Sequence, residues 1–482
     1  MSIFEERESA VRSYCRKWPV LFDGATGSWL FDDNGHPYLD FFTGAGALNY
    51  GHNNPVLKEA LLDYLAADRI IHSLDMFTVA KAEFLTAFDQ LVLRPRGLDY
   101  KVQFPGPAGT IAVEAALKLA RKVTGRTQVA YFTHGFHGMT LAALSVTGNA
   151  FHRGGAGVPL TYATPLPYER FAGRDVPDFA WLDGVLDDAG SGFDLPAAVI
   201  VECVQGEGGI NVASPAWLRG LAERCQRHGI LLIVDDVQMG CGRTGPFFSF
   251  EVAGIQPDIV CVSKSISGYG FPLALTLIRP ELDIWEPGEH TGTFRGIDPA
   301  LVTGTAALRA YWRDGELAGR SVANGGRIHA ALTALADSVP DARARGRGMA
   351  HGLEFDQPGL AAKVAADAFD RGLVMETAGP ADQVVKLMPS LTITDAELDQ
   401  GLALLAEAVH NVAKDPATTA TPALSQIPPQ MPAPTISPTF SNPSLTLPGH
   451  SSTLPKLTVR LVSVFDINRT PRAGGREWGS RL

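Results

Sequence analysis

Apolar positions recur along this chain with three different periods, and each predicts a different element. Around residues 27–41 they alternate with polar ones on either side of Asn34-Gly35, the signature of a β-hairpin closed by a tight turn. At 111–122 they recur at helical spacing through Val113, Ala116, Leu117 and Ala120, which predicts an amphipathic helix. The segments 299–337, 360–371 and 395–412 read as helices in the same way, with strands at 346–355 and 384–388 between them. The first sixteen residues, carrying Glu5, Glu6, Arg7 and Glu8, read as a charged helix. The third pattern is no alternation at all. Short runs at 102–104, 129–133, 197–202, 230–234 and 259–263 are almost wholly apolar, as expected of parallel strands buried on both faces. Strands interleaved with helices predict an α/β fold.

Two of these runs end in chemistry. The strand Ile230-Leu231-Leu232-Ile233-Val234 stops at Asp235-Asp236, and 29 residues after Asp235 the next run delivers Lys264. Ligands of open α/β sheets bind at such strand ends. A lone Asp there is as easily a helix cap. Asp and Lys at successive strand ends supply the two contacts that pyridoxal phosphate needs, an amine for its aldehyde and a carboxylate for its pyridine nitrogen. Gly109-Thr110 opens the helix at 111–122 after a short strand, so free N–H groups, a hydroxyl and the positive end of the helix dipole face outward and suit a phosphate. On its own this is a competent helix start. His52 reads as a ligand or base, or as a hydrogen-bonded turn residue; His137 reads as structural, and Glu207 alone as solvated surface.

Composition narrows the function classes. Among 482 residues, 45 % are apolar and 19 % charged, with a net charge of −10, which fits a multi-domain globular protein and argues against nonspecific nucleic-acid binding. No run reaches membrane-spanning length, and the first twenty residues lack a signal-peptide pattern. Cys15, Cys203, Cys225, Cys241 and Cys261 are scattered without a C-x-x-C pair, so a metal site and a disulfide framework are unsupported and a cytoplasmic location is expected. The composition breaks at 416–455, which contains ten prolines and no Lys, Arg, Asp or Glu. That segment is expected to be extended or disordered. A strand at 457–465 and a basic, loop-like 469–482 follow it. The tail reads as an accidental extension, with a partner-binding arm or a region without function as the alternatives.

The run Leu231-Leu232-Ile233-Val234-Asp235-Asp236-Val237-Gln238-Met239-Gly240-Cys241-Gly242-Arg243-Thr244-Gly245, with Pro257-Asp258-Ile259-Val260-Cys261-Val262-Ser263-Lys264, resembles the aspartate and lysine motifs of class III aminotransferases. The resemblance covers about residues 4–414. It implies fold-type I: a mostly parallel, seven-stranded sheet in a large domain over 54–314, and a small α+β domain built from 1–53 and 315–414, with 415–482 as the tail. It further implies a pyridoxal 5′-phosphate cofactor. Lys264 bonds its aldehyde and moves the substrate proton, and Asp235 keeps its ring nitrogen protonated. Phe136 and Val237 cover the two ring faces, and Gln238 bonds the phenolic oxygen. Gly109 and Thr110 hold the phosphate with Thr293 of a neighbouring subunit, hence a homodimer or higher homo-oligomer. Glu207 and Lys386 match a glutamate and a carboxylate-gripping arginine of related ω-aminotransferases.

Three positions depart from the family pattern: Asp236 for Glu, Cys203 for Pro, and Lys386 for Arg. In the loop Gly292-Thr293-Phe294-Arg295-Gly296, Ile297 and Asp298 stand where ectoine-pathway relatives carry asparagines. Residues 42–55, and the lysine at 386, resemble that ectoine-pathway group, which exchanges amino groups between glutamate and aspartate 4-semialdehyde. An ω-aminotransferase of the ornithine or 4-aminobutyrate type is the alternative, then an aminomutase on the same fold.

Overall fold

A computed structural model describes residues 2–171 and 179–414; the readings made for the tail at 415–482 lie outside the described residues. Seven strands form the main sheet, in the order Lys101–Gln103, Leu275–Ile278, Ile259–Val262, Leu231–Asp235, Ala198–Val201, Val129–Phe132, Ala163–Leu166. The strand Leu275–Ile278 runs antiparallel to both neighbours, and the others are parallel. Unbroken apolar runs form these strands because each face meets its own core. Ile200, Ile233, Ile259 and Cys261 pack on one side against Ala112, Val113, Ala116 and Leu117 of the helix Gly109–Thr124. Val199, Leu232, Val234, Val260 and Val262 pack on the other, with Trp217, Leu218 and Leu221 of the helix Pro215–His228. That helix is delimited by sequence chemistry: the Ser214 hydroxyl accepts from the Trp217 N–H at 3.1 Å, and Gly229 takes the left-handed cap at φ 58°.

A second sheet is antiparallel, in the order Ala342–Arg347, Ala350–Phe355, Val384–Leu387, Glu376–Ala378. The helices Glu316–Ser338, Leu360–Asp370 and Asp395–Ala413 accompany it. The hairpin around Asn34-Gly35 forms, pairing Trp29–Asp32 with Pro37–Asp40. Its sheet takes Leu373–Val374 as a fourth strand, parallel to Pro37–Asp40, so residues more than three hundred positions apart share one ladder.

Three expectations are corrected. The N-terminal helix is two pieces, Ile3–Arg7 and Tyr14–Lys17, and neither has a buried residue that would hold one continuous helix against a neighbour. The helical stretch 299–337 divides into Asp298–Tyr311 and Glu316–Ser338, with Gly315 preceding the second. The strand at 346–355 is a hairpin turning at Gly348, whose φ of 57° and close approach to Thr244 leave no room for a Cβ. Among the described residues no helix is long and apolar enough to cross a membrane.

Candidate active site

Parallel strands point their C-terminal ends the same way, and here three of those ends carry polar chemistry. Asp235 closes its strand, buried, with Oδ2 2.7 Å from His137 Nδ1 and Oδ1 accepting the Val237 N–H at 3.1 Å. Burial favours the neutral imidazole, but the hydrogen bond and charge of Asp235 outweigh it and hold His137 above its ordinary value. Glu202, just beyond Ala198–Val201, accepts the Phe136 N–H at 2.9 Å and the Gly206 N–H at 3.2 Å. Burial, against the pull of His137 and with the charge of Asp235 added, pushes its carboxyl up to about 7.

Lys264 follows the strand Ile259–Val262 and opens a short turn with a left-handed backbone, φ 53°. That conformation costs an L-residue roughly 1 kcal/mol. Ser265 Oγ anchors the turn by donating to the Gly46 carbonyl at 2.7 Å and accepting the Asn49 N–H at 3.1 Å. Burial lowers the Lys264 ammonium from its ordinary value, Glu207 opposing and Lys386 assisting.

Gly109 and Thr110 begin the helix Gly109–Thr124, whose N-cap Ala108 offers no side-chain cap. A Cβ on Gly109 would lie 2.7 Å from Val237 Cγ1, so only glycine lets the helix start approach Val237. The Thr110 hydroxyl sits 2.7 Å from that of Thr140. Phe136 is half-buried on the wall of a cleft of about 800 Å3 that also includes His134, Glu207, Glu376 and Tyr14. Gln238 donates Nε2 to the Ala45 carbonyl at 2.9 Å and to Glu207 Oε1 at 3.0 Å. Its Oε1 is buried without a partner, 1.6 Å from where a Cβ on Gly206 would stand.

Glu207 Oε1 lies 2.7 Å from Lys386 Nζ. Burial works against the Glu207 charge, yet Lys386 and then Lys264 pull its carboxyl down to about 2. The same Lys386 Nζ is 2.7 Å from Glu376 Oε1, and its ammonium is raised despite burial because both carboxylates hold it. Thr293 stands apart, exposed on a short turn that carries Phe294 and Arg295. His52 bonds Asp40 through Nε2 at 2.7 Å and bridges to Gly27, the hydrogen-bonded turn role. The departures from the family pattern also find partners. Asp236 accepts the Ser249 N–H at 3.0 Å, and Asp298 accepts from Ser73 Oγ at 2.6 Å.

Sequence reasoning overlooked Glu202 as the tie between Phe136 and the Gly206 loop, and Glu376 and Tyr14 beside Lys386. Glu202 was findable as a carboxylate closing an apolar run; the other two depend on strand register and on where the N-terminus docks. The donor set fits pyridoxal phosphate on this structure's own features: Lys264, Asp235, the uncapped helix start at Gly109 and the orphaned Gln238 Oε1.

Residues 12–409 match the family model for aminotransferase class-III. The diaminobutyrate–2-oxoglutarate transaminase of Nocardia farcinica is 61 % identical over 411 residues, covering 85 % of this chain and 94 % of the relative. The Streptomyces avermitilis protein of the same name is 60 % identical over 416 residues, covering 86 % and 98 %. Among solved structures, the ornithine aminotransferase of Toxoplasma gondii, described with pyridoxal phosphate partly occupying its active site, aligns with a TM-score of 0.73 at 26 % identity, covering 85 % of this chain and 93 % of that one. With its two strand-end motifs, its fold and a family match spanning nearly all the described residues, the chain belongs to the class III aminotransferases, on fold-type I.

Proposed function

We propose that this protein uses pyridoxal 5′-phosphate to transfer an amino group from L-glutamate to L-aspartate 4-semialdehyde, giving 2-oxoglutarate and L-2,4-diaminobutyrate, as in ectoine biosynthesis. The names of the relatives at about 60 % identity support the substrates. The observation that carries the reading is the Glu207–Lys386 pair, with Glu207 on the wall of the cleft and both charges acting on the buried Lys264. The carbon bearing the reacting amine carries a carboxylate in glutamate and only hydrogens in diaminobutyrate. One site must therefore offer a cation in one half-reaction and hide it in the other. Glu207 masks Lys386 when the diaminobutyrate end is in place and yields when a carboxylate arrives.

When bound, the cofactor supplies an electron sink for the charge left on the substrate carbon. Lys264, its neutral amine favoured by burial, takes and returns the proton at that carbon. Asp235, held by His137, would present a carboxylate to the ring nitrogen, and Gln238 Oε1 would accept from the ring hydroxyl. Phe136 and Val237 would flank the ring, and Gly109 and Thr110 would receive the phosphate through the helix start.

A homodimer belongs to this proposal. Ile70, Ile71, Met76, Phe77, Val79 and Phe294 are exposed, Phe77 completely. Their segment is tied to the Thr293 loop by the His72–Ile297 bridge and the Ser73 N–H to Gly296 carbonyl bond at 2.9 Å. That apolar surface suits a second copy, which would bring Thr293 to the phosphate of its neighbour. The five free cysteines support a cytoplasmic location.

Single-turnover absorbance changes with each donor test the reading. Wild-type protein is expected to react with both glutamate and diaminobutyrate. Glu207→Ala is expected to keep the glutamate half-reaction and lose the diaminobutyrate one by at least tenfold more. Turnover of ornithine or 4-aminobutyrate but not diaminobutyrate would overturn the substrate assignment, and equal losses would remove Glu207 from the switch.

A further inference from the structure

Lys386 has two acidic partners at the same distance, and their settings differ. Glu376 stands directly opposite Lys386 in the antiparallel ladder of Glu376–Ala378 with Val384–Leu387. Both side chains are sealed, 3 % and 0 % exposed, and strand register sets Oε1 2.7 Å from Nζ as an ion-pair contact, while the hydrogen bond of Nζ goes to Glu207 and Glu376 Oε1 accepts none. Tyr14, from the N-terminal segment, lines the same cleft as Glu376. Glu207, by contrast, sits on a loop among Gly206, Gly208 and Gly209, and its side chain is 30 % exposed toward the cleft. It can turn away without breaking a strand, while Gln238 Nε2 offers it a second partner.

We propose that Glu376 is the standing counter-ion of Lys386, so that this ammonium presents one exchangeable position, filled in turn by Glu207 and by a substrate carboxylate. This deepens the reading of Glu207 and Lys386 given above and rests on it. A buried ammonium with a single carboxylate would be stranded each time that carboxylate left, a heavily penalised state. With Glu376 in place the open state is already neutralised, and the exchange swaps one carboxylate for another at constant charge. Burial and the charge of Glu207 push the Glu376 carboxyl above its ordinary value, against the pull of Lys386. Its ionised form is therefore favoured most once Glu207 has moved off. The fixed partner also moderates Lys386, which grips any arriving carboxylate less tightly than an unpaired cation would and so releases product.

Glutarate has the two carboxylates of glutamate and no amine, and it is the probe. It is titrated calorimetrically into the holoenzyme, and melting temperatures are measured alongside. Glu207→Ala removes the competitor and is expected to tighten glutarate about tenfold while barely moving the melting temperature, because Glu376 still neutralises Lys386. Adding Glu376→Gln is expected to tighten glutarate by about tenfold again and to lower stability by clearly more than the two single changes combined. Lys386→Met on that double variant should recover the lost stability, and if the double variant does not fold, this triple variant is read instead. An affinity change under twofold on adding Glu376→Gln, additive stability losses, or no recovery with Lys386→Met would each overturn the proposal. Failure of the underlying reading has a different signature: glutarate binding unchanged by Glu207→Ala and by Lys386→Met, with the stability cycle still non-additive.

Discussion

Asp235 and Asp236 are neighbours in sequence with opposite settings. Asp235 faces His137, whereas Asp236 is sealed, with Oδ2 accepting the Ser249 N–H and Oδ1 without a partner. Burial, against the Ser249 bonds and with the charge of Asp235 added, pushes the Asp236 carboxyl up to about 7 from 3.8. The folded state thus keeps a proton that the unfolded chain releases, so this group's contribution falls as pH rises from about 4 to about 7 and is flat above. Asp236→Asn, which puts an uncharged amide in the same space, should be more stable than wild type at pH 8 by on the order of a few kcal/mol and about equal to it near pH 4. Thermal melts across that range check it; an unchanged slope would assign the pH dependence elsewhere. Glu202, raised in the same direction, should leave a shallower residual slope. Such protonation is not legible from the string Asp-Asp, because it depends on how far Ser249 and the loop around it close over the second carboxyl.

Between elements, the largest fully buried side chain among the described residues is Arg243. It donates to the Met349 carbonyl at 3.2 Å, to the Pro389 carbonyl, and to Asn49 Oδ1 at 2.6 Å. One guanidinium thereby ties the N-terminal loop, the hairpin turn at Gly348-Met349 and the segment after Val384–Leu387 to the end of the aspartate strand. Burial lowers it to about 9, with Asp40 opposing. Arg243→Met should cost at least about 3 kcal/mol, since several buried acceptors lose their donor, and Arg243→Lys should recover little because an ammonium lacks the planar fork. Denaturant melts decide it, and a loss below about 1 kcal/mol would show that water replaces the guanidinium. Elements buried on both faces were readable because nothing polar interrupts them, with ends displaced by a residue or two. The strand Ala342–Arg347 was not, since Arg343, Arg345 and Arg347 make it look solvated. Glu354, the Gly209 carbonyl and the Ala213 carbonyl meet those charges across the fold.

For the whole molecule, what the sequence discloses is chemistry that a residue type carries by itself: a lysine and an aspartate at strand ends, a glycine opening a helix. What it withholds is juxtaposition. Glu376 meets Lys386 through register, His137 meets Asp235 across 98 positions, and the strand Leu373–Val374 joins the N-terminal meander; none has a local signal. Thr293, exposed on its own subunit, belongs to the same class if, as proposed, it serves the phosphate site of a second copy. In genetic terms, two defective alleles should then rescue each other. A chain bearing Lys264→Ala and a chain bearing Thr293→Ala each spoil both sites of their own homodimer. In a mixed dimer both lesions fall in one site, and the other is assembled wholly from unaltered parts. Random pairing of equal amounts makes half of the dimers mixed, so about a quarter of all sites should be wild type. Co-expression of the two alleles with different affinity tags should yield hybrid dimers more active than either parent, and hybrids no better than the parental average would mean that each subunit completes its own site.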